Sequence, residues 1–403
     1  MRNIILFDDD NWEGLLPLTF TKPICELRVG ILTIREKWEK RLSGKSSFIT
    51  QDYLANKYPI HIEEDNFLIN STVLPTEALV DRILSLEPNE ALLAGDELLV
   101  ARLPKIEFDR LGNDQAINEL IGKDISSNTE IFSQVLRPHD LFRLNGQELV
   151  RDFELITKGR TSQPIPDGNQ IRGSENIFVE EGVQVDCSIL NAKTGPIYLG
   201  KNASIQEGSI IRGPFSLGEG AIVKMGAKIF ENTTVGPYSK AGGEIKNSIL
   251  FKYSNKGHVG FLGNSVLGEW CNLGAGTTVS NLKNNYTETK LWNYATERFE
   301  KTGLQFCGLI MGDHSKAGIS TSFNTATSVG VSCNIFGSGF PRTFLPSFAW
   351  GGPHGYNTYR HEKALDTARL VMQRRGKTLE EVDETILVHI YYFTANSRRW
   401  SKI

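Results

Sequence analysis

The sequence predicts an α/β domain with a mostly parallel sheet, followed by a left-handed parallel β-helix and C-terminal helices. Branched aliphatic residues recur every six positions in the middle of the chain, and small residues lie four positions after most of them. Strand and helix patterns alternate before this repeat, and two helix-like segments follow it. These observations predict domains at residues 1–165, 166–345 and 346–403.

The N-terminal part alternates between strand and helix patterns. Residues 3–7 form a short apolar run that ends in three aspartates, as expected for a buried strand that reaches the carboxyl edge of a sheet. Helix patterns cover residues 26–42 and 76–86, residues 67–70 are expected to form a strand, and residues 91–103 a hairpin. This alternation favours an α/β domain.

The strict period of six is typical of a parallel β-helix. Each hexapeptide makes one short strand and a corner, and three of them form a triangular coil whose aliphatic residues stack inward on the next coil. The period returns at 267–279 and 311–335, so the solenoid is expected to span residues 177–340, after a turn-rich boundary at 162–168. The first run of repeating aliphatics is Leu199, Ile205, Ile211, Leu217, Val223, Ile229 and Val235.

The segment after the solenoid is expected to close it. Residues 340–356 are rich in glycine, proline and aromatic side chains, and helices are expected at 362–375 and 379–394. Because the open end of a solenoid needs a cap, the helices are expected to pack against it.

Composition excludes several classes of protein. The chain has 403 residues, 40% of them hydrophobic and 23% charged, which is ordinary for a globular protein. A net charge of −3 gives no general attraction to nucleic acid or to an anionic membrane. Five scattered cysteines without a CxxC pair favour reduced thiols. Without a signal peptide or an apolar run of transmembrane length, a cytoplasmic location is expected.

Residues 243–264 interrupt the hexapeptides and carry the pattern E-x-K-x(11)-H-x(2)-F-x-G, followed by N-x-G-x-G and N-L. This pattern resembles the acetyltransferase half of the bacterial bifunctional N-acetylglucosamine-1-phosphate uridyltransferase/glucosamine-1-phosphate acetyltransferases. The resemblance implies that His258 is the general base and that Lys246 binds the sugar phosphate. It also implies that Asn272 and Asn281 belong to the acceptor site.

Two departures from the pattern affect the acceptor site. Phe261 and Leu282 stand where the family has tyrosines, so an acyl acceptor other than the family's amino sugar phosphate stays open. The residue types fit acyl transfer independently of the resemblance. Transfer from a thioester to an amine needs a base and hydrogen-bond donors for the oxyanion, and histidine titrates near neutrality.

Basic and small residues near this pattern are candidates for binding phosphate and coenzyme A. Arg212, Lys252 and Lys256 could bind the phosphates of the acceptor or of coenzyme A. The segment that contains Ala275 and Gly276 would let the backbone approach the thioester of acetyl-CoA closely. Lys252 and Lys256 are equally well interpreted as solvated side chains.

Structural interpretations remain open for the other polar candidates. His258 on a loop could be a solvated surface residue. His314 is the second candidate base, but it lies in the hexapeptide register, which favours a structural role. Asn272 and Asn281 could form stacked asparagine ladders.

Residues 15–23, with the sequence L-L-P-L-T-F-T-K-P, resemble the L-x-P-L-T-x-x-x-P stretch of sugar-phosphate nucleotidyltransferases. The resemblance implies a nucleotidyltransferase-like, Rossmann-like N-terminal domain. The glycine-rich loop that holds the nucleoside triphosphate in that family is replaced here by the acidic segment 8–14, which is a poor phosphate cradle. Ile24 and Asn70 stand where the family has a lysine and a metal-binding aspartate.

Substitutes for the missing residues can be named. Lys22 and Arg28 are the expected replacements for the lysine. Asp8, Asp10 or Asp152 could hold a magnesium ion between bound phosphates, because two carboxylates suffice for that metal. The alternative is that the aspartates are a solvated strand end.

The leading functional hypothesis is an acetyl-CoA-dependent N-acetyltransferase that acts on an amino sugar 1-phosphate. Its nucleotidyltransferase-like domain would use UTP or dTTP in UDP-sugar biosynthesis, with weak or no activity expected. The alternative is a non-catalytic sugar-nucleotide-binding or regulatory protein that retains both folds. A hexapeptide-fold carbonic anhydrase is disfavoured because no His-x(4)-His occurs. A homotrimer is expected, because related acyltransferases bind their substrates between neighbouring solenoids.

Overall fold

The aliphatic residues spaced six apart line the inside of a three-faced parallel β-helix in the computed structural model of the protein. The structure describes residues 2–112, 118, 120–127 and 131–402. All seven aliphatics of the first run are at most 2% exposed and belong to one continuous hydrophobic core. The predicted fold class is confirmed for both parts of the chain.

Three stacks of short parallel strands form the faces of the β-helix, and the chain passes through face 1, face 2 and face 3 in turn. Face 1 consists of Gln170–Arg172, Ile189–Asn191, Ile210–Arg212, Lys228–Ile229, Glu244–Lys246, Phe261–Gly263, Thr278–Val279 and Ser322–Phe323. Face 2 consists of Ile177–Val179, Ile197–Leu199, Phe215–Leu217, Thr233–Val235, Ile249–Leu250, Val266–Leu267, Leu309–Met311, Thr327–Val329 and Phe344–Leu345. Face 3 consists of Gln184–Val185, Ser204–Ile205, Ile222–Val223, Lys240–Ala241, Asn255–Lys256, Asn272–Leu273, Lys316–Ala317, Asn334–Ile335, Ala349–Gly352 and the antiparallel Gly355–Thr358.

The solenoid is longer and more regular than its sequence predicts. Its strands run from Gln170 to Gly352, beyond the expected span of 177–340. The segment 243–264 does not interrupt the coils, because Ile245 and Leu262 point inward and are 0% exposed. The period is hidden there because some corners are shorter than in a regular hexapeptide.

Faces 1 and 2 differ in what covers them. The helix Pro138–Thr157 packs over face 2, where the hydroxyl of Thr234 donates to Asn145 Oδ1 at 3.1 Å and to the Gly30 carbonyl at 2.9 Å. Thr234 is 1% exposed as a result. Lys228 and Lys246 on face 1 are exposed. Face 1 therefore carries the accessible side chains.

An antiparallel hairpin leaves the β-helix between face 1 and face 2. It contains the strands Lys290–Asn293 and Arg298–Lys301. The N–H of Cys307 donates to the carbonyl of Asn281 at 2.9 Å and closes the base of the excursion. The coil then resumes at Leu309 on face 2.

The C-terminal helices contact the last coil, but they do more than cap it, because Arg375 after the first helix donates to Asn255 Oδ1 at 3.0 Å on face 3, four parallel strands earlier. They span His361–Gln373 and Glu381–Phe393, and turns follow at Ala395–Ser397 and Arg399–Lys402. The rings of Phe348 and Tyr391 meet edge to face at 5.1 Å. No helix within the described ranges is long and apolar enough to cross a membrane.

The N-terminal part is built on a mixed sheet. Its strand order is Gly44–Ile49, Arg2–Phe7, Asp65–Asn70, Glu97–Pro104, Glu90–Ala94 and Ile121–Asp124, with a separate short pair Val73–Leu74 and Ser133–Gln134. Its helices are Asn11–Gly14, Ile24–Glu26, Ile34–Leu42, Asp52–Ala55, Glu77–Leu84 and Lys105–Gly112. The first three strands are parallel, and Glu97–Pro104 is antiparallel to both neighbours.

One predicted helix is much shorter than expected. The pattern at 26–42 gives a helix only at Ile34–Leu42, preceded by a turn and extended chain. A capping box fixes the start, because the Thr33 side chain accepts from Glu36 N and the Glu36 carboxylate accepts from Thr33 N.

The chain divides into two units. The first comprises Met1–Leu15, Lys22–Leu27 and Leu32–Arg137, and the second comprises Leu16–Thr21, Arg28–Ile31 and Pro138–Ile403. This division falls before the boundary expected near residue 165, because the helix Pro138–Thr157 packs on face 2.

Candidate active site

His258 lies at the corner where the chain passes from face 3 to face 1, called here the 3–1 corner. Glycines on both sides allow the tight turn. Gly260 has φ +117°, and a Cβ there would lie 2.0 Å from the Thr277 carbonyl oxygen. The His258 side chain is exposed, and no described residue hydrogen-bonds to its ring. The imidazole is thus available to a substrate.

Ala275 and Gly276 lie at the same corner, one coil further along. The N–H of Gly276 donates to the Val259 carbonyl at 3.2 Å, so the two segments are in direct contact. Gly276 has φ +73°, which favours glycine there. The structure therefore brings the predicted cofactor segment next to the predicted base.

Two exposed aliphatic side chains at this corner were missed by the sequence analysis. Val259 is 72% exposed and Ile319 is 76% exposed. The N–H of Ser320, beside Ile319, donates to the Ala275 carbonyl at 2.7 Å, which places Ile319 one coil beyond Ala275. The sequence could have revealed both residues, because each is an aliphatic residue at a position that the six-residue repeat does not point inward.

Phe261 and Asn281 meet over Gly263 on face 1, and the strand of Lys246 lies next to that of Gly263. Lys246 pairs with Gly263 in the register of neighbouring strands. A Cβ on Gly263 would lie 2.5 Å from Phe261 Cζ and 2.7 Å from Asn281 Nδ2, so both side chains lie over this glycine. Asn281 Nδ2 donates to Asn264 Oδ1 at 2.8 Å, which fixes the amide. Two of the predicted acceptor residues are thus brought together, beside the strand that carries Lys246.

The Lys246 ammonium already has weak partners. It lies 3.9 Å from a carboxylate oxygen of Glu231 and 5.8 Å from the centre of the Phe230 ring. Its side chain is 49% exposed, and an exposed ion pair at this distance contributes little. A phosphate can therefore displace Glu231 at small cost.

Arg212 and Asn272 lie farther from this cluster. Arg212 ends a strand of face 1 two strands before that of Lys246, roughly 10 Å away along the stack. Asn272 is on face 3, paired with Asn255 and Lys316, so one chain alone does not bring it to Lys246. Its position next to Asn255 favours the asparagine-ladder interpretation.

Lys256 requires a correction. It occupies an inward position of face 3 and is 1% exposed, so it cannot reach a coenzyme phosphate at the surface. Its ammonium donates to the carbonyl of Gly242 at 3.1 Å and to the carbonyl of His258. Burial lowers the pKa of Lys256 to about 8. Lys252, in contrast, is exposed and lies 3.5 Å from a carboxylate oxygen of Glu269.

His314 lies at a different corner of the coil, between faces 2 and 3. Its ring continues a stack of rings from Tyr238 through Tyr253 and Trp270, and it lies 6.3 Å from Trp270 at an angle of 13°. This placement favours the structural alternative over a role as base.

In the first unit, the carboxyl edge of the sheet carries an acidic hydrogen-bond network. Asp8 accepts from Ile24 N at 3.0 Å and from Thr50 Oγ1 at 2.7 Å. Asn70 Nδ2 donates to Asp9 Oδ2 at 2.9 Å. Burial raises the pKa of Asp8 to about 7, although its hydrogen bonds lower it. Carboxylates at this edge repel a triphosphate.

The other nucleotidyltransferase candidates are engaged elsewhere. Lys22 is only 3% exposed. The Arg28 guanidinium donates to the Ile31 carbonyl, and Asp152 Oδ2 accepts from Ile31 N at 2.8 Å. Asp152 is 2% exposed and stabilises this loop of the second unit. Arg28 and Asp152, which were expected to bind a nucleotide or its magnesium ion, are therefore hydrogen-bonded to Ile31 instead.

Two of the three carboxylates expected to hold magnesium are already used by the protein. Both carboxylate oxygens of Asp8 accept hydrogen bonds, and Asp152 Oδ2 accepts from Ile31 N. Across the described part of the chain, no group of three His, Cys, Asp or Glu side chains could hold a metal ion.

Comparisons with known proteins match a family model over residues 4–161 and bifunctional transferases over part of the chain. Residues 4–161 match the family model "Sugar nucleotidyl transferase". "Bifunctional protein GlmU" of Methanocaldococcus jannaschii is 37% identical over 107 residues, which are 27% of this chain and 24% of that protein. "Bifunctional sugar-1-phosphate nucleotidylyltransferase/acetyltransferase" of Sulfurisphaera tokodaii is 30% identical over 93 residues, 23% of each chain. The chain thus aligns with about a quarter of the length of these relatives.

Among solved structures, the UDP-N-acetylglucosamine acyltransferase from Campylobacter jejuni matches 56% of this chain and 94% of its own, with 13% identity and a TM-score of 0.32. The named curated relatives are transferases. The chain is therefore similar to sugar nucleotidyl transferases over residues 4–161, and to part of the bifunctional sugar-1-phosphate nucleotidyltransferases/acetyltransferases.

Proposed function

We propose that this protein is an N-acetyltransferase that uses acetyl-CoA and acts on an amino sugar 1-phosphate. The observation that carries the proposal is the 3–1 corner, where the exposed His258 precedes Val259, whose carbonyl accepts a hydrogen bond from the Gly276 N–H at 3.2 Å. The cluster of Lys246, Phe261 and Asn281 lies on the adjoining face.

His258 acts as the base. As the amine nitrogen attacks the thioester carbonyl carbon, His258 takes the proton that the nitrogen loses. The imidazolium then returns this proton to the coenzyme A thiolate when the C–S bond breaks. The products are the amide and free coenzyme A.

The tetrahedral oxyanion needs a backbone donor close to the base. The Gly276 N–H is occupied by the Val259 carbonyl, but the Ala275 N–H donates to no described residue. Ala275 N–H is therefore the candidate donor. The exposed side chains of Val259 and Ile319 offer an apolar surface for the arm of coenzyme A.

Lys246 binds the phosphate of the acceptor in this proposal, in place of its weak contact with Glu231. Phe261 would pack against the sugar ring without donating a hydrogen bond. The Asn281 amide, held by Asn264, would orient the acceptor.

The nucleotidyltransferase-like domain is proposed to have weak or no pyrophosphorylase activity with UTP or dTTP. The acidic network of Asp8, Asp9 and Asn70 supports this part of the proposal. The same network favours the second candidate, a non-catalytic sugar-nucleotide-binding role, for this domain alone.

A homotrimer in the cytoplasm completes the proposal. Face 1 is accessible whereas face 2 is covered, so face 1 is available to a neighbouring solenoid that would complete the acceptor site. Light scattering that gives a monomer mass at every concentration would contradict the trimer.

The acyl-transfer proposal is tested by following free thiol release from acetyl-CoA with a panel of amino sugar 1-phosphates and the matching amino sugars. We expect turnover with at least one phosphorylated acceptor and much less with its unphosphorylated form. Thiol release that does not depend on any acceptor in the panel would contradict the proposal.

A further inference from the structure

A cleft of about 490 Å³ lies between the hairpin, the last coil and the C-terminal turns, all within the second unit. Trp292 and Glu297 from the hairpin, Phe344 from the last coil, and Trp400 from the final turn line it. None of these residues belongs to the 3–1 corner or to the cluster around Gly263. Its volume is within the usual range for small-molecule sites.

The cleft presents aromatic surface that the protein does not bury. The Trp292 and Phe344 rings are parallel, 4.1 Å apart at 14°, and both are partly exposed. Trp400 lies 5.5 Å from Tyr356 on the other side. Its indole N–H is buried and donates to no described residue. This arrangement offers stacking surface and one donor without a partner.

The charges in the cleft favour an anion. Arg342 and Arg399 line it, and neither guanidinium forms an ion pair with a described carboxylate. Arg342 lies 5.8 Å from the centre of the Tyr356 ring, which holds its side chain in place. Two guanidinium groups fit the geometry of a phosphate. Glu297 contributes a carboxylate, which can accept from hydroxyl groups but repels phosphate.

We propose that this cleft is a binding site for a nucleoside phosphate. The base stacks on the Trp292 and Trp400 rings, the phosphate binds Arg342 and Arg399, and Glu297 accepts from a ribose hydroxyl. Trp292 stacks on Phe344 through one face, and neither Arg342 nor Arg399 forms an ion pair with a described carboxylate, so these groups can take a base and a phosphate. A neutral sugar would leave both guanidinium groups without a counter-charge.

The test is titration calorimetry of the full chain with UTP and ATP, with uridine and adenosine, and with pyrophosphate. Arg342→Gln combined with Arg399→Gln removes the phosphate contacts, and Arg298→Gln on the same hairpin is the matched control. We expect the double variant to weaken nucleotide binding about tenfold or more and the control to leave it unchanged. Arg399→Lys should weaken nucleotide binding by an intermediate amount, since it keeps the charge but loses the paired N–H donors of the guanidinium.

Two results would overturn the proposal. One is equal nucleotide binding by the parent and by a double variant that melts at the parent's temperature. The other is pyrophosphate binding as tight as UTP binding, which would mean an anion site without base recognition. Binding should be unaltered in His258→Ala, so that this site is tested separately from acyl transfer.

Discussion

The ammonium of Lys256 donates to the carbonyl of His258 from inside the β-helix. A lysine therefore occupies an aliphatic position of the core and, from there, supports the backbone of the exposed corner. Its neighbour in the inward column, Ala241, is small enough to leave room for the long side chain.

Lys256→Met is expected to change how stability depends on pH. The folded-state pKa of about 8 lies below the unfolded value of 10.5, so between these values the unfolded chain holds more protons and the parent gains stability as pH rises. The parent should gain up to roughly 3 kcal/mol relative to the variant over this window. Urea unfolding of both proteins from pH 7.5 to 10.5 measures it. Parallel stability curves would contradict the assignment.

His258→Ala is expected to lower kcat for acyl transfer by roughly 10²–10⁴-fold with a much smaller change in acceptor KM, because a base acts mainly in the transition state. His354→Ala, at another exposed histidine, is the control. Melting temperatures are recorded for both variants. If folded His258→Ala stays within a few-fold of the parent, His258 is not the base.

Lys246→Ala is expected to raise acceptor KM with a smaller effect on kcat, because a phosphate contact is made before and during the reaction alike. Lys228→Ala serves as the matched control, since Lys228 is also an exposed lysine of face 1. The difference between the two variants should vanish with an unphosphorylated acceptor. An unchanged KM with the phosphorylated acceptor would remove Lys246 from the site.

Asp8→Asn is expected to abolish part of the pH dependence of stability. The folded-state pKa of Asp8, about 7, exceeds its unfolded value of 3.8, so the folded state holds the extra proton between these values. The contribution of Asp8 to the stability of the parent is therefore present at low pH and is lost as pH rises towards 7. Denaturant unfolding from pH 4.5 to 7.5 compares the variant with Asp10→Asn. Equal slopes in all three proteins would contradict the prediction.

Pyrophosphate release with UTP or dTTP and sugar 1-phosphates in magnesium is expected to be weak or absent. The reason is that carboxylates occupy the sheet edge where the family's glycine-rich loop would hold phosphates. The assay is run on the full chain. Turnover near the ~10 s⁻¹ median of enzymes would contradict this prediction, and would mean that the acidic edge replaces the glycine-rich loop in catalysis.

The sequence predicts the solenoid well because inward aliphatics such as Leu199 and Ile211 repeat at a fixed spacing. It fails at 243–264 because shorter corners shift the period and Lys256 replaces an aliphatic residue. The helix expected at 26–42 was wrong over its first half, where a capping box at Thr33 sets the start. Local patterns cannot report which positions a neighbouring coil buries.

The same limit applies to the candidate site. The spacing of Lys246 and His258 identifies both residues as candidates from the sequence alone, and both side chains are exposed in the structure. The contact of Phe261 and Asn281 over Gly263 depends on strands stacked in register, which pairs residues distant in sequence. The burial of Lys256 follows from the same stacking.

The two ends of the hairpin excursion, Asn281 and Cys307, are one hydrogen bond apart. A segment that departs and returns at nearly the same point places almost no constraint on the coils that flank it. Its length and composition can therefore drift while the register of the scaffold is preserved. The hairpin is an insertion whose sequence can change without altering the coils. The cleft that it lines can therefore diversify among relatives independently of the acyl-transfer corner.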